Sequence, residues 1–180
     1  RRLTPTKEQK AECLGSFHDR HDIVVGFSWR SRLLLQSRID DYIDAKGFRE
    51  LITQFPDNIG FVCLQYDINE EEKKIFEDIN NVLLPDEDFL NDVKANALYA
   101  GSCDLLVTVG TVVATLAGIF GVPVISWSRQ DDAVNLGQKY NPWFPNRLDF
   151  RTQPNWDKAI MIDRLRNVLK KFLYSQELGQ

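Results

Sequence analysis

Short, nearly unbroken apolar runs alternate along this chain with longer stretches whose apolar residues recur every three or four positions. The runs DIVVGFSW (Asp22 to Trp29), IGFVCLQY (Ile59 to Tyr66), NVLLP (from Asn81), CDLLVTV (Cys103 to Val109) and VPVISWS (Val122 to Ser128) predict five strands. Apolar runs of this length without polar alternation fit strands covered on both faces. Helical spacing predicts helices over Ala45 to Phe55, from Asn69 through NEEEKKIFEDI, over Asp88 to Ala100, and at VVATLAGIF. In the terminal WDKAIMIDRLRNVLKKFL, Ile160, Leu165, Val168, Leu169 and Phe172 fall at helical spacing. The polar opening reads as a further helix with Thr6 as its N-cap. Strands alternating with helices predict an α/β fold, a Rossmann-like, mostly parallel sheet with helices on both faces. The expected division is a linker and N-terminal helix over 1–22 and one Rossmann-like domain over 23–180.

Composition narrows the classes. A chain of 180 residues with 43% hydrophobic residues has enough apolar material for one real core. A net charge of −4 argues against nucleic acid as the main partner. Cys13, Cys63 and Cys103 have no CxxC spacing, which points to free thiols rather than a disulfide framework or a zinc site. No apolar run has the length of a membrane span. Free thiols fit a reducing compartment, and the expected location is the cytoplasm, extending to a peripheral place at the inner membrane face. The opening at Arg1-Arg2, without Met, leads to the expectation of a longer parent protein.

In a parallel sheet, ligands sit beyond the carboxyl ends of the strands. Three such ends carry more than connecting residues: SWRSR (Ser28 to Arg32), LQYD (Leu64 to Asp67) and Gly110-Thr111, which opens a helix. A helix start offers unpaired N–H groups and partial positive charge, glycine admits close approach, and an arginine opposite supplies charge-assisted bonds. Arg30, Ser31 and Arg32 with Gly110, Thr111 and Val112 are therefore candidate diphosphate contacts. The bland alternatives are a connector glycine and solvated loop charges. GxxxxGK[ST], GxGxxG and GxSxG are all missing, and His18 and His21 both precede the first strand, which disfavours P-loop, dinucleotide and triad chemistry.

VVGFSWRSR, FVCLQYD, CDLLVTVGTVVATLAGIFGVPVISW and NPWFPNRLDFR, in that order, resemble the heptosyltransferase-like domains related to ADP-heptose:lipopolysaccharide heptosyltransferases, a type often found after tetratricopeptide repeats in bacteria. The resemblance implies the C-terminal, donor-binding half of a GT-B glycosyltransferase. Such a half would bind a nucleotide diphosphate sugar for hexosyl or heptosyl transfer to a glycan or protein acceptor. Its implied partner is a missing N-terminal acceptor domain or helical repeats. No bound metal or other cofactor is expected, and no catalytic residue is assigned. On the same footing Gln65 and Tyr66 are candidates for touching the nucleoside, and Trp143 of the PWFP loop is a candidate near the donor. Where resembling proteins read VDTxxxHLAG, this chain has Gly110 in the acidic position and Thr115 in the histidine position. Thr115 lies one helical turn beyond Thr111 and stays a candidate. The alternative expectation is a degenerate, non-catalytic module that binds a nucleotide sugar, carbohydrate or protein. A flavodoxin-like enzyme complete in one domain is the third class.

Overall fold

A computed structural model describes residues 3–32, 42–128, 138, 141–151 and 156–175 of the chain. Six strands form one parallel sheet in the order β3-β2-β1-β4-β5-β6. The strands are β1 (Ile23–Ser28), β2 (Ile59–Cys63), β3 (Val82–Leu83), β4 (Leu105–Val109), β5 (Val124–Ser128) and β6 (Arg147–Arg151). The helices are α1 (Lys7–Leu14), α2 (Ser16–Asp19), α3 (Ala45–Ile52), α4 (Glu70–Lys74), α5 (Val93–Ser102), α6 (Val112–Ile119) and α7 (Lys158–Ser175). The Rossmann-like α/β expectation holds.

Successive side chains of a strand point to opposite faces, and the core divides accordingly. Val25, Phe27 and Trp29 of the β1 segment join Phe48 and Leu51 of α3, Phe76, and Leu165 and Leu169 of α7 in one buried layer. Val24 faces the other way, among Leu14, Phe17, Tyr99, Val113 and Ala117 from the N-terminal helices, α5 and α6. Each large side chain so buried contributes on the order of 1.5–3 kcal/mol. The layer under α3 is rich in rings: Phe27 lies 5.5 Å from Phe48 and 5.4 Å from Phe76, and Trp29 lies 5.5 Å from Phe76. That cluster fixes the chain just before Arg30.

Local signals place the ends. Thr6 and Gln9 form a reciprocal capping box, with Gln9 N donating to Thr6 Oγ1 at 3.2 Å and Thr6 N donating to Gln9 Oε1 at 2.9 Å. Asn69 and Glu72 repeat the device at α4. This helix stops at Lys74 although the apolar spacing predicted a run to Ile79. Past it the chain closes by shorter bonds, Phe76 N to Lys73 O and Ile79 N to Phe76 O, which turn Phe76 into the core.

The sixth strand was not expected. In RLDFR the charged Arg147 and Asp149 interrupt any apolar run, yet β6 pairs in parallel with β5 from Val124↔Arg147 to Ser128↔Arg151. Among the described residues no strand lies on its outer side, and Leu148 is exposed. Helices α5 and α6 pack closely enough that a Cβ on Gly101 would stand 2.7 Å from Cγ of the Phe120 ring. Gly101→Ala should therefore destabilise the fold by about 1–3 kcal/mol through overpacking. Urea unfolding should show a lower midpoint with an unchanged slope.

Candidate functional site

From β1 the sheet grows through β2 and β3 in one direction and through β4, β5 and β6 in the other. The switch point lies between β1 and β4, the position at which open α/β sheets form a crevice beyond the strand ends. Near these ends lie two buried hydroxyls: Ser28, the last residue of β1, and Thr108, the last but one of β4, are register partners and their oxygens lie 2.6 Å apart. Thr108 Oγ1 also donates to Val109 O at 2.9 Å and meets Thr111 Oγ1 at 3.4 Å.

Thr111 is the N-cap residue of α6, but its side chain makes no capping hydrogen bond. The first N–H groups of a helix have no partner within it, and here no cap side chain takes them up. Gly110 and Val112 are exposed on either side of half-buried Thr111. Thr115, one turn further, is exposed too. The start of α6 is thus an open, electropositive terminus at the switch point, suited to anionic oxygen.

Arg30 leaves the same sheet edge, but its guanidinium turns toward β2. Nε donates to Glu72 Oε1 at 3.0 Å, while Nη2 donates to Glu72 Oε2 and to Asp67 O, each at 2.7 Å. Nη1 takes no part in these bonds. Burial alone would raise the Glu72 carboxyl, but hydrogen bonds from Arg30 and from Asn69 N outweigh it and hold the carboxyl below the usual glutamate value. Trp29 Nε1 donates to the same Glu72 oxygen as Arg30 Nε, at 3.3 Å.

Gln65 is 2% exposed, and its amide serves the backbone. Oε1 accepts from Trp29 N at 3.0 Å and Arg30 N at 3.1 Å; Nε2 donates to Arg30 O at 3.1 Å and Tyr66 O at 2.8 Å. The end of β1 is in this way stitched to the end of β2. Asp67, just beyond, holds φ at 60°, a backbone region that non-glycine residues seldom adopt. Ser31 is buried, whereas Arg32 is exposed, its N donating to Tyr66 Oη at 3.4 Å.

Beside the start of α6 lies a cleft of about 170 Å³ lined by Tyr66, Phe89, Leu90, Val93, Asn96, Val112 and Leu116. Asn96 is 2% exposed and its Oδ1 has no hydrogen-bond partner. A buried acceptor left in that state costs about 1–3 kcal/mol. Trp143 stands apart from this group. With Gly118, Gly121, Val122 and Phe144 it lines a separate cleft near the starts of β5 and β6, the opposite end of the strands. The structure thus brings Arg30, Ser31, Arg32, Gln65, Tyr66, Gly110, Thr111 and Val112 to one sheet edge and leaves Trp143 outside it.

Three residues escaped the sequence reading. Glu72 sits in EEEKK, which reads as a solvated helix start, although the N-x-x-E spacing of a capping box was there to be seen. Arg147 is 8% exposed and donates through Nε to Asp149 Oδ1 at 2.6 Å and Ser126 Oγ at 3.2 Å. Its Nη2 lies 3.9 Å from where a Cβ on Gly110 would stand, a contact across β5 that no local pattern announces. Asn96 is an unremarkable helix residue until its burial is known. Burial pushes the Cys63 thiol up to about 12, so it is protonated and a poor nucleophile at neutral pH. Among the described residues no group of three or more His, Cys, Asp or Glu is placed to hold a metal ion, and no helix is long and apolar enough to cross a membrane.

No protein-family model and no curated protein matches this sequence. Solved structures do. E. coli heptosyltransferase WaaC with ADP superposes with a TM-score of 0.62 at 19% identity, over 88% of this chain and 45% of that one. E. coli ADP-heptose LPS heptosyltransferase II gives 0.65 at 12% identity, over 94% of this chain and 54% of that one. The chain has the fold of a GT-B half-domain. A glycosyl transferase family 9 protein from Veillonella parvula matches this half-domain with a TM-score of 0.57 at 14% identity, over 84% of this chain and 42% of that one. The half-domain spans about half the length of these neighbours.

Replacing Gln65 by Leu should cost about 1–3 kcal/mol of stability in chemical denaturation, because buried backbone groups of Trp29 and Arg30 lose their partners. For Glu72 the sign follows from its lowered pKa: the pairing with Arg30 stabilises above the ordinary glutamate value and is lost as the pH falls through the lower folded-state value. The difference in Tm between the parent chain and Glu72→Gln should be full at neutral pH and shrink below about pH 4. A difference that did not change with pH would contradict this role.

Proposed function

We propose that the chain binds the donor of a glycosyl transfer, a nucleotide diphosphate sugar, at the carboxyl edge between β1 and β4. The observation that carries this reading is the uncapped start of α6 at the switch point of the sheet. In this reading the N–H groups at the start of α6, with the Thr111 hydroxyl, hold the distal phosphate. Arg30, steadied by Glu72, adds charge through Nη1. As a sugar–phosphate bond breaks, negative charge gathers on the departing diphosphate, and fixed donors aimed at it lower the barrier. Likeness to heptosyltransferases supports the choice of donor, and the half-length match supports a role shared with a second, acceptor-binding half. Gln65 acts here by ordering residues 29 and 30 rather than by touching the nucleoside, while Tyr66 borders the cleft that takes the base.

A non-catalytic binding module is the second reading. It is favoured by Gly110 and Thr115, neither of which carries an ionisable side chain. In that reading the chain binds a nucleotide sugar, carbohydrate or protein without transferring a glycosyl group, so millimolar or absent nucleotide-sugar binding favours it.

Calorimetry with ADP and UDP, or their sugar derivatives, tests the donor-binding reading. Measurable binding is expected, with Arg30→Met weakening it by about 1.5–3 kcal/mol. Absence of binding at millimolar ligand would overturn the site, and an unchanged affinity in Arg30→Met would remove Arg30 from it.

A further inference from the structure

The cleft that holds Trp143 lies near the starts of β5 and β6, away from the edge assigned to the donor. Its volume of about 320 Å³ falls within the roughly 300–1,000 Å³ of sites that take small ligands. Two large apolar side chains on its border are exposed, Trp143 at 64% and Ile119 at 42%. The indole is held out by a built turn. Asn141 is fully buried, and its Oδ1 accepts from Trp143 N and from Phe144 N, each at 3.0 Å. Pro142 and Pro145 restrict the backbone on either side. Phe144 packs so closely on α6 that a Cβ on Gly118 would stand 2.6 Å from its ring. A Trp presented by ordered backbone offers broad contact at little cost in conformational entropy.

The chemistry of the lining selects a class of ligand. Among the described lining residues none carries an ionisable side chain, so the cleft offers no charge to a phosphate, a carboxylate or an ammonium group. Asn146 donates through Nδ2 to Gly121 O at 3.2 Å, which leaves its Oδ1 as an acceptor, and the Trp143 indole supplies an N–H. A sugar ring matches this set: its C–H faces cover an aromatic surface, while its hydroxyls both donate and accept. We propose that the cleft is a binding site for neutral carbohydrate, at the end of the sheet opposite the donor edge. This site is independent of the donor reading.

Calorimetry with maltohexaose, cellohexaose, laminarihexaose and chitohexaose tests this, with hexagalacturonate as the charged control. At least one neutral probe should bind saturably at millimolar concentration, and more tightly than the control. Trp143→Ala should weaken that binding about tenfold or more, and Trp143→Tyr, which keeps a ring, should stay within about threefold of the parent. Because Trp143 is exposed, circular dichroism should show both variants folded. Saturating ADP should leave the affinity unchanged, since the donor edge lies at the other end of the strands. The proposal is overturned if no neutral probe binds, if the control binds more tightly, or if Trp143→Ala binds as the parent does. Competition by ADP overturns it too, by putting the glycan at the donor edge. So does a dimer in sedimentation that Trp143→Ala dissociates, which would assign the indole to a second copy of the chain. Failure of ADP to bind would sink the donor reading and leave this site standing.

Discussion

Covering a parallel sheet on both faces decides nearly everything else about this molecule. Once β1, β2 and β4 are enclosed by helices, their side chains must be apolar or mutually satisfied. Backbone groups inside the sheet are used up by the ladder. Chemistry is thereby driven to the strand ends, and the order of the strands selects which ends diverge. Ser28 and Thr108, two hydroxyls bonded to each other and, through Thr108, to the carbonyl of Val109, mark the border where the sealed interior gives way to the accessible edge.

At that edge the arginine and the helix start have different neighbours. Arg30 is ordered by a built set of contacts: Glu72 from α4, the carbonyl of Asp67, and the Gln65 amide on its backbone. The start of α6 is nearly bare. Gly110 N is taken up by Trp127 O at 3.3 Å, so under the proposed reading it is the amides of the first turn of α6 that would meet a phosphate, while Arg30 is already oriented by its carboxylate partner. Such preorganisation is what lets modest hydrogen bonds act strongly on developing charge.

The fold was legible because its signals are local. Apolar runs named five strands, and Thr6 named a cap that the structure realises as a full box. What stayed hidden depends on distant partners. β6 has no apolar run, since Arg147 and Asp149 satisfy each other and Ser126 within the sheet. Gln65 drew notice from its place at a strand end, but whether its amide meets a ligand or the backbone depends on Trp29 and Arg30, thirty-odd residues away in sequence. Trp143 looked like a ring near the donor because the PWFP loop is near it in resembling proteins; the parallel return of β6 carries that loop to the opposite end of the strands.

The side chain of Arg147 has a mechanical consequence. It is rooted in the outermost strand, passes Ser126 of β5 and ends close to Gly110 at the tip of β4. Its hydrogen bonds to Ser126 and Asp149 tie the edge strand to its neighbour and leave the guanidinium filling the space beside Gly110, so shortening residue 147 would loosen the rim and empty that space together.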